Sequence, residues 1–216
     1  MNYKKLNSPE FWDLKISTGH LLINESPIYK DKLRYILKEI KECSGNLLDI
    51  GIGYADIEEL IARKNINIKI SGLDISKFAV QEAAKKYKGN FLVGSITKIP
   101  FKSESFDCVL ALDILEHLSS SNCSRGLKEI KRVMKKDARL VISIPINEKI
   151  LDSKNNHHIQ KYNFNIINRQ LSNSGYLIFK KYYLTAYKNF YFLKNIINKI
   201  IKISNPNLLI LVCKKK

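Results

Sequence analysis

Four positions at the ends of apolar runs have side chains suited to holding a ligand: Asp49 in Leu-Leu-Asp-Ile-Gly-Ile-Gly, Asp74 in Gly-Leu-Asp-Ile-Ser, Ser95 in Gly-Ser-Ile-Thr, and Asp113 in Leu-Ala-Leu-Asp. Residues 47–55 read as a short buried strand that carries Asp49 into a turn with Gly51 and Gly53, then a helix. Lacking a Cβ, the glycines let the backbone approach a ligand closely. The helix that follows aims free N–H groups back at the turn. This is equipment for a nucleoside cofactor. In the G-x-G-x-x-G frame counted from Gly51, the third glycine position holds Asp56, whose carboxylate would repel a pyrophosphate. No Gly-Lys-Ser/Thr follows the turn, which excludes a Walker-type phosphate loop.

Asp74 ends a second strand candidate, residues 67–73, about 20 positions past the glycine turn. An acid there binds ribose hydroxyls bidentately. A ribose without a pyrophosphate points to the adenosine of S-adenosylmethionine.

On these residues the chain resembles the class I S-adenosylmethionine-dependent methyltransferases, in particular their small-molecule branch, which includes quinone-biosynthesis enzymes. Leu-Leu-Asp-Ile-Gly-Ile-Gly is similar to the family's first motif and Gly-Leu-Asp-Ile-Ser (72–76) to its second. Gly-Ser-Ile-Thr-Lys-Ile-Pro-Phe (94–101) and Phe-Asp-Cys-Val-Leu-Ala-Leu-Asp-Ile-Leu-Glu-His-Leu (106–118) resemble the third and fourth. Four motifs in order are far more specific than one. Ala55 stands where the family usually has a third glycine, and Ser95 where it often has Asp.

The resemblance implies S-adenosylmethionine as cofactor and S-adenosylhomocysteine as product. Gly51, Ile52 and Gly53 would hold the methionine part, with Asp49 close by through its backbone or a water. Asp74 would take the ribose, Ile75 one face of the adenine, and Ser95 and Ile96 its edge. The Leu112–Asp113 backbone would receive the methionine ammonium, and Ile114 or Leu115 would close the floor. If the acceptor is a hydroxyl, a general base near neutral pKa helps, and histidine is the usual choice. His117 matches a Glu-His dipeptide frequent in the family. His157 and His158 fall in a segment that borders the acceptor pocket of relatives. All three are candidate bases or acceptor contacts. These histidines tilt the expectation toward O-methylation of a small or lipid-like acceptor.

The elements that must position these residues alternate. Helical spacing predicts helices over 28–43, 56–64, 76–87 and 123–135. Strands are predicted over 47–50, 67–73, 90–94, 107–112 and 138–144. A helix (164–173), a strand (176–184), a helix (187–203) and a last strand (207–213) follow. Alternation of this kind gives a parallel sheet with helices on both faces, and ligands bind outside the carboxyl ends of its strands. The expected fold is α/β: a Rossmann-like doubly wound sheet of about seven strands, mostly parallel, with an antiparallel last strand beside the fifth. A single domain, 1–216, divides into an N-terminal helical cap (1–45), a cofactor-binding core (46–145) and an acceptor-binding part (146–216). Phe11, Trp12 and Leu14 are apolar enough to act as a lid or as a strap in a groove.

The chain has 216 residues, enough for one large core, and a net charge of +17. The charge raises an RNA methyltransferase as the rival reading, and nucleic acid as a partner. Against it, arginine occurs only six times and no Asn-Pro-Pro-Tyr-like motif ends the fourth strand. A non-catalytic module of the same fold is a further alternative. Cys43, Cys108, Cys123 and Cys213 form no Cys-x-x-Cys pair, so a zinc site is not expected, no metal is assigned, and reduced thiols suit the cytoplasm. No apolar run is long enough to span a bilayer. Residues 187–203 are basic and amphipathic, which suits either packing on the sheet or peripheral contact with a membrane. The acceptor's identity and the oligomeric state are not legible.

Overall fold

The computed structural model describes residues 7–18, 26–148, 157–187, 191–201 and 204–216. The expected α/β sheet is present. Helices are α1 (Pro9–Thr18), α2 (Pro27–Lys41), α3 (Asp56–Arg63), α4 (Lys77–Lys86), α5 (Ser120–Val133), α6 (Phe164–Asn173) and α7 (Tyr191–Ile200). Strands are β1 (Asn46–Ile50), β2 (Lys69–Asp74), β3 (Asn90–Val93), β4 (Phe106–Leu112), β5 (Met134–Pro145), β6 (Tyr176–Leu184) and β7 (Leu208–Lys215). They form one seven-stranded sheet in the order β3-β2-β1-β4-β5-β7-β6. β1 to β5 pair in parallel, while β7 runs antiparallel to both β5 and β6.

The middle of the sheet is buried on both faces, which is why β4 reads as an unbroken apolar run. Alternation along the strand sends Val109 and Ala111 to one side, against Leu127 and Ile130 of α5 and Ile167 and Leu171 of α6. Cys108 and Leu110 go to the other, against Ile36 and Ile40 of α2 and Ile57 and Ile61 of α3. β1 lies between β2 and β4. Successive connections leave it in opposite directions, and a crevice opens at its carboxyl end.

Several boundaries differ from the sequence reading. α5 starts at Ser120, because Ser119 caps it by accepting the Asn122 N–H at 3.3 Å. Its polar first turn carries no apolar stripe, so spacing alone finds the helix only from Cys123. Met134 belongs to β5, where it pairs with Phe106 across an irregular register. The stretch expected to be a helix at 187–203 is helical over Tyr191–Ile200, and residues 188–190 and 202–203 lie outside the described residues. In the expected lid, Phe11 and Trp12 pack against each other edge to face, but Leu14 is 65% exposed and packs on nothing comparable. The helix turns it away from the face that carries Trp12 and Ile16.

A carboxylate within the core joins three elements. Glu39 of α2 is fully buried. It accepts hydrogen bonds from Tyr182 (2.5 Å), Lys180 (3.1 Å) and Arg139 (3.1 Å), and so ties α2 to β5 and β6. Burial pushes its carboxyl up, but the hydrogen bonds from Tyr182 and Lys180 outweigh that and hold it below the usual glutamate value. We expect Glu39→Ala to lower unfolding free energy by about 3 kcal/mol near neutral pH, the cost of breaking a buried pair from one side. A depressed folded-state pKa contributes stability only above the unfolded value, so this deficit shrinks as pH falls through the folded value. Urea unfolding of both proteins at several pH values checks the magnitude and the sign.

Candidate functional site

The carboxyl ends of β1, β2 and β4, with the loop after β3, enclose a cleft of about 540 Å³. Asp49, Gly51, Ile52, Gly53, Asp74, Ile75, Ser95, Ile96, Leu112, Asp113 and Ile114 all line it. Residues from four separate motifs therefore converge on one space. α1 and α2 roof it with Trp12, Lys15, Ile16, Tyr29 and Lys32.

The turn after β1 is built from positive-φ backbone: Gly51 at +81°, Gly53 at +53° and Ala55 at +62°. Gly51 donates its N–H to the Leu73 carbonyl at 2.6 Å, which locks the turn onto β2. A Cβ on Gly51 would meet Ile114 Cδ1 at 2.7 Å. Ala55, the N-cap of α3 without any side-chain cap bond, holds a left-handed conformation that glycine adopts without strain. This explains why a glycine is usual in the motif it resembles.

Asp74 joins the turn to the next loop. Its Oδ2 accepts the Gly53 N–H at 3.0 Å and its Oδ1 the Ser76 N–H at 2.8 Å. Burial raises its carboxyl above the ordinary value, and the N–H groups of Gly53, Ser76 and Ile75 limit the rise. The carboxylate has acceptor capacity left for a hydroxyl donor. Ser76 caps α4 by accepting the Ala79 N–H and donates its hydroxyl to Asp13 of α1 at 2.6 Å. That contact pins the roof to the floor.

The cleft is acidic inside. Asp49 is buried, with one oxygen unpartnered, and burial, Glu58 and Asp74 together push its carboxyl well up. Glu58 is also fully buried with both oxygens unpartnered. Burial is the main cause that raises it to about 7. Such groups favour a ligand carrying positive charge and hydroxyl donors. Asp113 sits at φ +52°, accepts from Lys32 at 2.5 Å and from Ser143 at 2.6 Å, and is held below the usual value by Lys32 and Ser143 despite burial. Ser95 uses its hydroxyl on its own loop, accepting the Thr97 N–H at 3.2 Å.

The candidate histidines separate. His117 borders the cleft, under the Trp12 ring at 4.9 Å. Burial, with the neighbouring His158, lowers it to about 4. His158 stands behind it, ring centroids 4.9 Å apart, with Nδ1 at 2.7 Å from Glu148. His157 stacks edge-on to Phe11 at 5.0 Å, and burial lowers it too. At neutral pH, His117 is therefore neutral.

Three groups here carry no motif: Lys32, Glu58 and Tyr29, whose hydroxyl bonds Asp56. Lys32 had a signal. It falls in register with Ile36 and Ile40, a lysine inside a buried stripe. Glu58, next to inward-facing Ile57, had a similar one.

A sequence family described as a methyltransferase domain matches residues 48–142. A demethylmenaquinone methyltransferase of Thermotoga maritima is 35% identical over 111 residues, covering 50% of this chain and 48% of that protein. A ubiquinone/menaquinone biosynthesis C-methyltransferase of Geotalea daltonii is 35% identical over 119 residues, with 50% and 49% covered. The chain thus spans about half the length of these curated relatives. Among solved structures, an N-methyltransferase of Bradyrhizobium japonicum in complex with S-adenosylhomocysteine superposes with a TM-score of 0.72 at 10% identity, covering 97% of this chain and 98% of that one. That likeness concerns the fold.

The glycine turn gives a direct test. Gly51→Ala is expected to lower the unfolding free energy of the ligand-free protein by roughly 1–3 kcal/mol, from left-handed backbone strain and the displaced Ile114. A thermal or urea melt measures it.

Proposed function

We propose that the chain, whose residues 48–142 match a methyltransferase domain, moves a methyl group from S-adenosylmethionine to a small, lipid-like acceptor, with oxygen as the receiving atom. The observation that carries this reading is the convergence of Asp49, the Gly51–Gly53 turn, Asp74 and Asp113 on one acidic cleft. Transfer is an in-line displacement in which the sulfonium already activates the methyl. The protein's task is to align nucleophile, carbon and sulfur and to exclude water. Asp74 takes the ribose hydroxyls. The turn holds the methionine part, with its ammonium at Leu112–Asp113. Ile75 and Ser95–Ile96 meet the adenine, chiefly through backbone, since the Ser95 hydroxyl is engaged with Thr97. Residues 1–45 act as the cap and 146–216 bound the acceptor. The related proteins are named for quinone substrates, which supports an acceptor of that size. Oxygen is preferred because one imidazole, that of His117, borders the cleft.

The cysteines described as free, Cys43, Cys108, Cys123 and Cys213, suit the reducing cytoplasm. Among the described residues no helix is long and apolar enough to cross a membrane. α7 instead lies on its surface. Phe192, Leu193, Ile196, Ile197 and Ile200 share one side of this helix, and Ile200 is 81% exposed. Residues 153–216 contain twelve Lys and Arg and not one Asp or Glu. An apolar stripe in a segment whose charged side chains are all basic complements an anionic bilayer interface. With Arg169 the only arginine in that segment, it fits lipid better than RNA.

Asp74→Ala should weaken S-adenosylmethionine binding about tenfold, as loss of a charged hydrogen bond does. Unchanged affinity by calorimetry counts against the ribose assignment. The protein should also float with phosphatidylglycerol-containing vesicles at low salt, and Ile196→Glu with Ile200→Glu should abolish flotation. Full recovery in the soluble fraction, self-association through α7, or salt-sensitive RNA retention by the same helix would each replace the membrane reading.

A further inference from the structure

Beside the cofactor residues, the 3-10 turn Leu115–His117 and the segment 157–160 come together. We propose that Glu116, His117 and His158 bind one divalent transition-metal ion at the edge of the cleft, where the ion takes the acceptor's hydroxyl oxygen. The second half of this inference rests on the methyl-transfer reading above, and the first half does not.

A ligand atom from each of the three side chains lies within 4.8 Å of the other two. Ligands about 2.1 Å from a zinc ion stand roughly 3.4 Å apart in a tetrahedron, so a modest contraction completes the set. The backbone holds the two segments in place. Ile159 and Gln160 both donate their N–H to the Glu116 carbonyl, at 2.8 and 3.0 Å. Asn7 bonds the carbonyls of His117 and His157, each at 3.4 Å.

Three features separate this cluster from an ordinary buried polar contact. Glu116 is 1% exposed, and its Oε2 is buried without a hydrogen-bond partner. An unpaired carboxylate in such a place is costly, and a bound cation removes the cost. Both imidazoles also have one nitrogen facing an oxygen. His158 Nδ1 is 2.7 Å from Glu148 Oε2, and His117 Nδ1 is 3.4 Å from the His157 carbonyl. Each Nε2 is left for ligation, the second-shell arrangement that metal-bound histidines use. Finally, Glu116 and Glu148 place two carboxyl groups here, and burial pushes that of Glu116 well up, a rise that a cation would offset. Of the nearby lysines, Lys32 is engaged by Asp113, and Lys15 remains as the opposing charge. Two imidazoles and a carboxylate suit zinc, iron(II), manganese or cobalt better than magnesium or calcium.

His117 borders the cleft together with Asp113, Leu118 and Ile159, so an open coordination position there meets the acceptor. The cation favours the deprotonated acceptor hydroxyl, whose proton leaves to water. The oxygen lone pair then forms the new O–C bond while the C–S bond breaks, its electron pair going to sulfur to leave the neutral thioether.

Metal-stripped protein, without S-adenosylmethionine, is titrated with Co²⁺ and followed by visible absorption and calorimetry. The expected result is one equivalent bound with d–d bands and micromolar or tighter affinity. Glu116→Gln and His158→Ala should each weaken it at least tenfold, and Glu148→Gln should weaken it less. Circular dichroism and melting confirm that each variant is folded, and His158→Gln replaces His158→Ala if the latter is not. A featureless spectrum, or an affinity unmoved by Glu116→Gln and His158→Gln, overturns the site. S-adenosylmethionine calorimetry on the metal-free protein keeps the two readings apart. Cofactor bound without cobalt removes the metal site alone, and cobalt bound without cofactor removes the methyl-transfer reading alone.

Discussion

The cleft depends on one carboxylate. By accepting N–H groups from Gly53 and Ser76, Asp74 fixes the loop after β1 to the loop after β2. Ser76 in turn donates to Asp13 and brings α1 over the opening. Floor and roof thus meet through Asp74 and Ser76, with one residue between them. The arrangement works because parallel strands deliver all their carboxyl ends to one edge of the sheet. Burial raises the carboxyl, so the site bears an electrostatic cost that ligand hydroxyls would offset.

The charge distribution divides the molecule. The interior of the cleft gathers Asp49, Asp56, Asp74 and Asp113 above buried Glu58, while the last 64 residues are basic throughout. A sulfonium and an ammonium are drawn to the first environment, and phosphate-bearing surfaces to the second. The protein thus carries two electrostatic environments of opposite sign.

Much of this was legible in the sequence because it is local. Asp49, Gly51, Gly53, Asp74 and Asp113 each sit where an apolar run meets a turn, and strand periodicity alone puts them at one edge. The Ser76 cap was legible for the same reason. What escaped is long-range. The pairing of Lys32 with Asp113 and the enclosure of Glu39 join residues distant in the chain. The Glu116, His117 and His158 cluster was hidden because only the docking of segment 157–160 creates it. Start signals misled where polar residues make the first turn, as at Ser120. Exposed Leu14 shows that an apolar residue in a weakly periodic segment says little about the face it takes.

The strand order has a bearing on biosynthesis. β7 lies between β5 and β6, yet it is made after both. Until it emerges from the ribosome, β6 has no neighbour to join and β5 keeps a bare edge of unpaired amides and carbonyls. The half built from β1 to β5 can condense early, but the far half must wait for the final insertion. A nascent chain therefore spends that interval with an open, sticky margin, which makes chaperone contact most valuable before β7 is made.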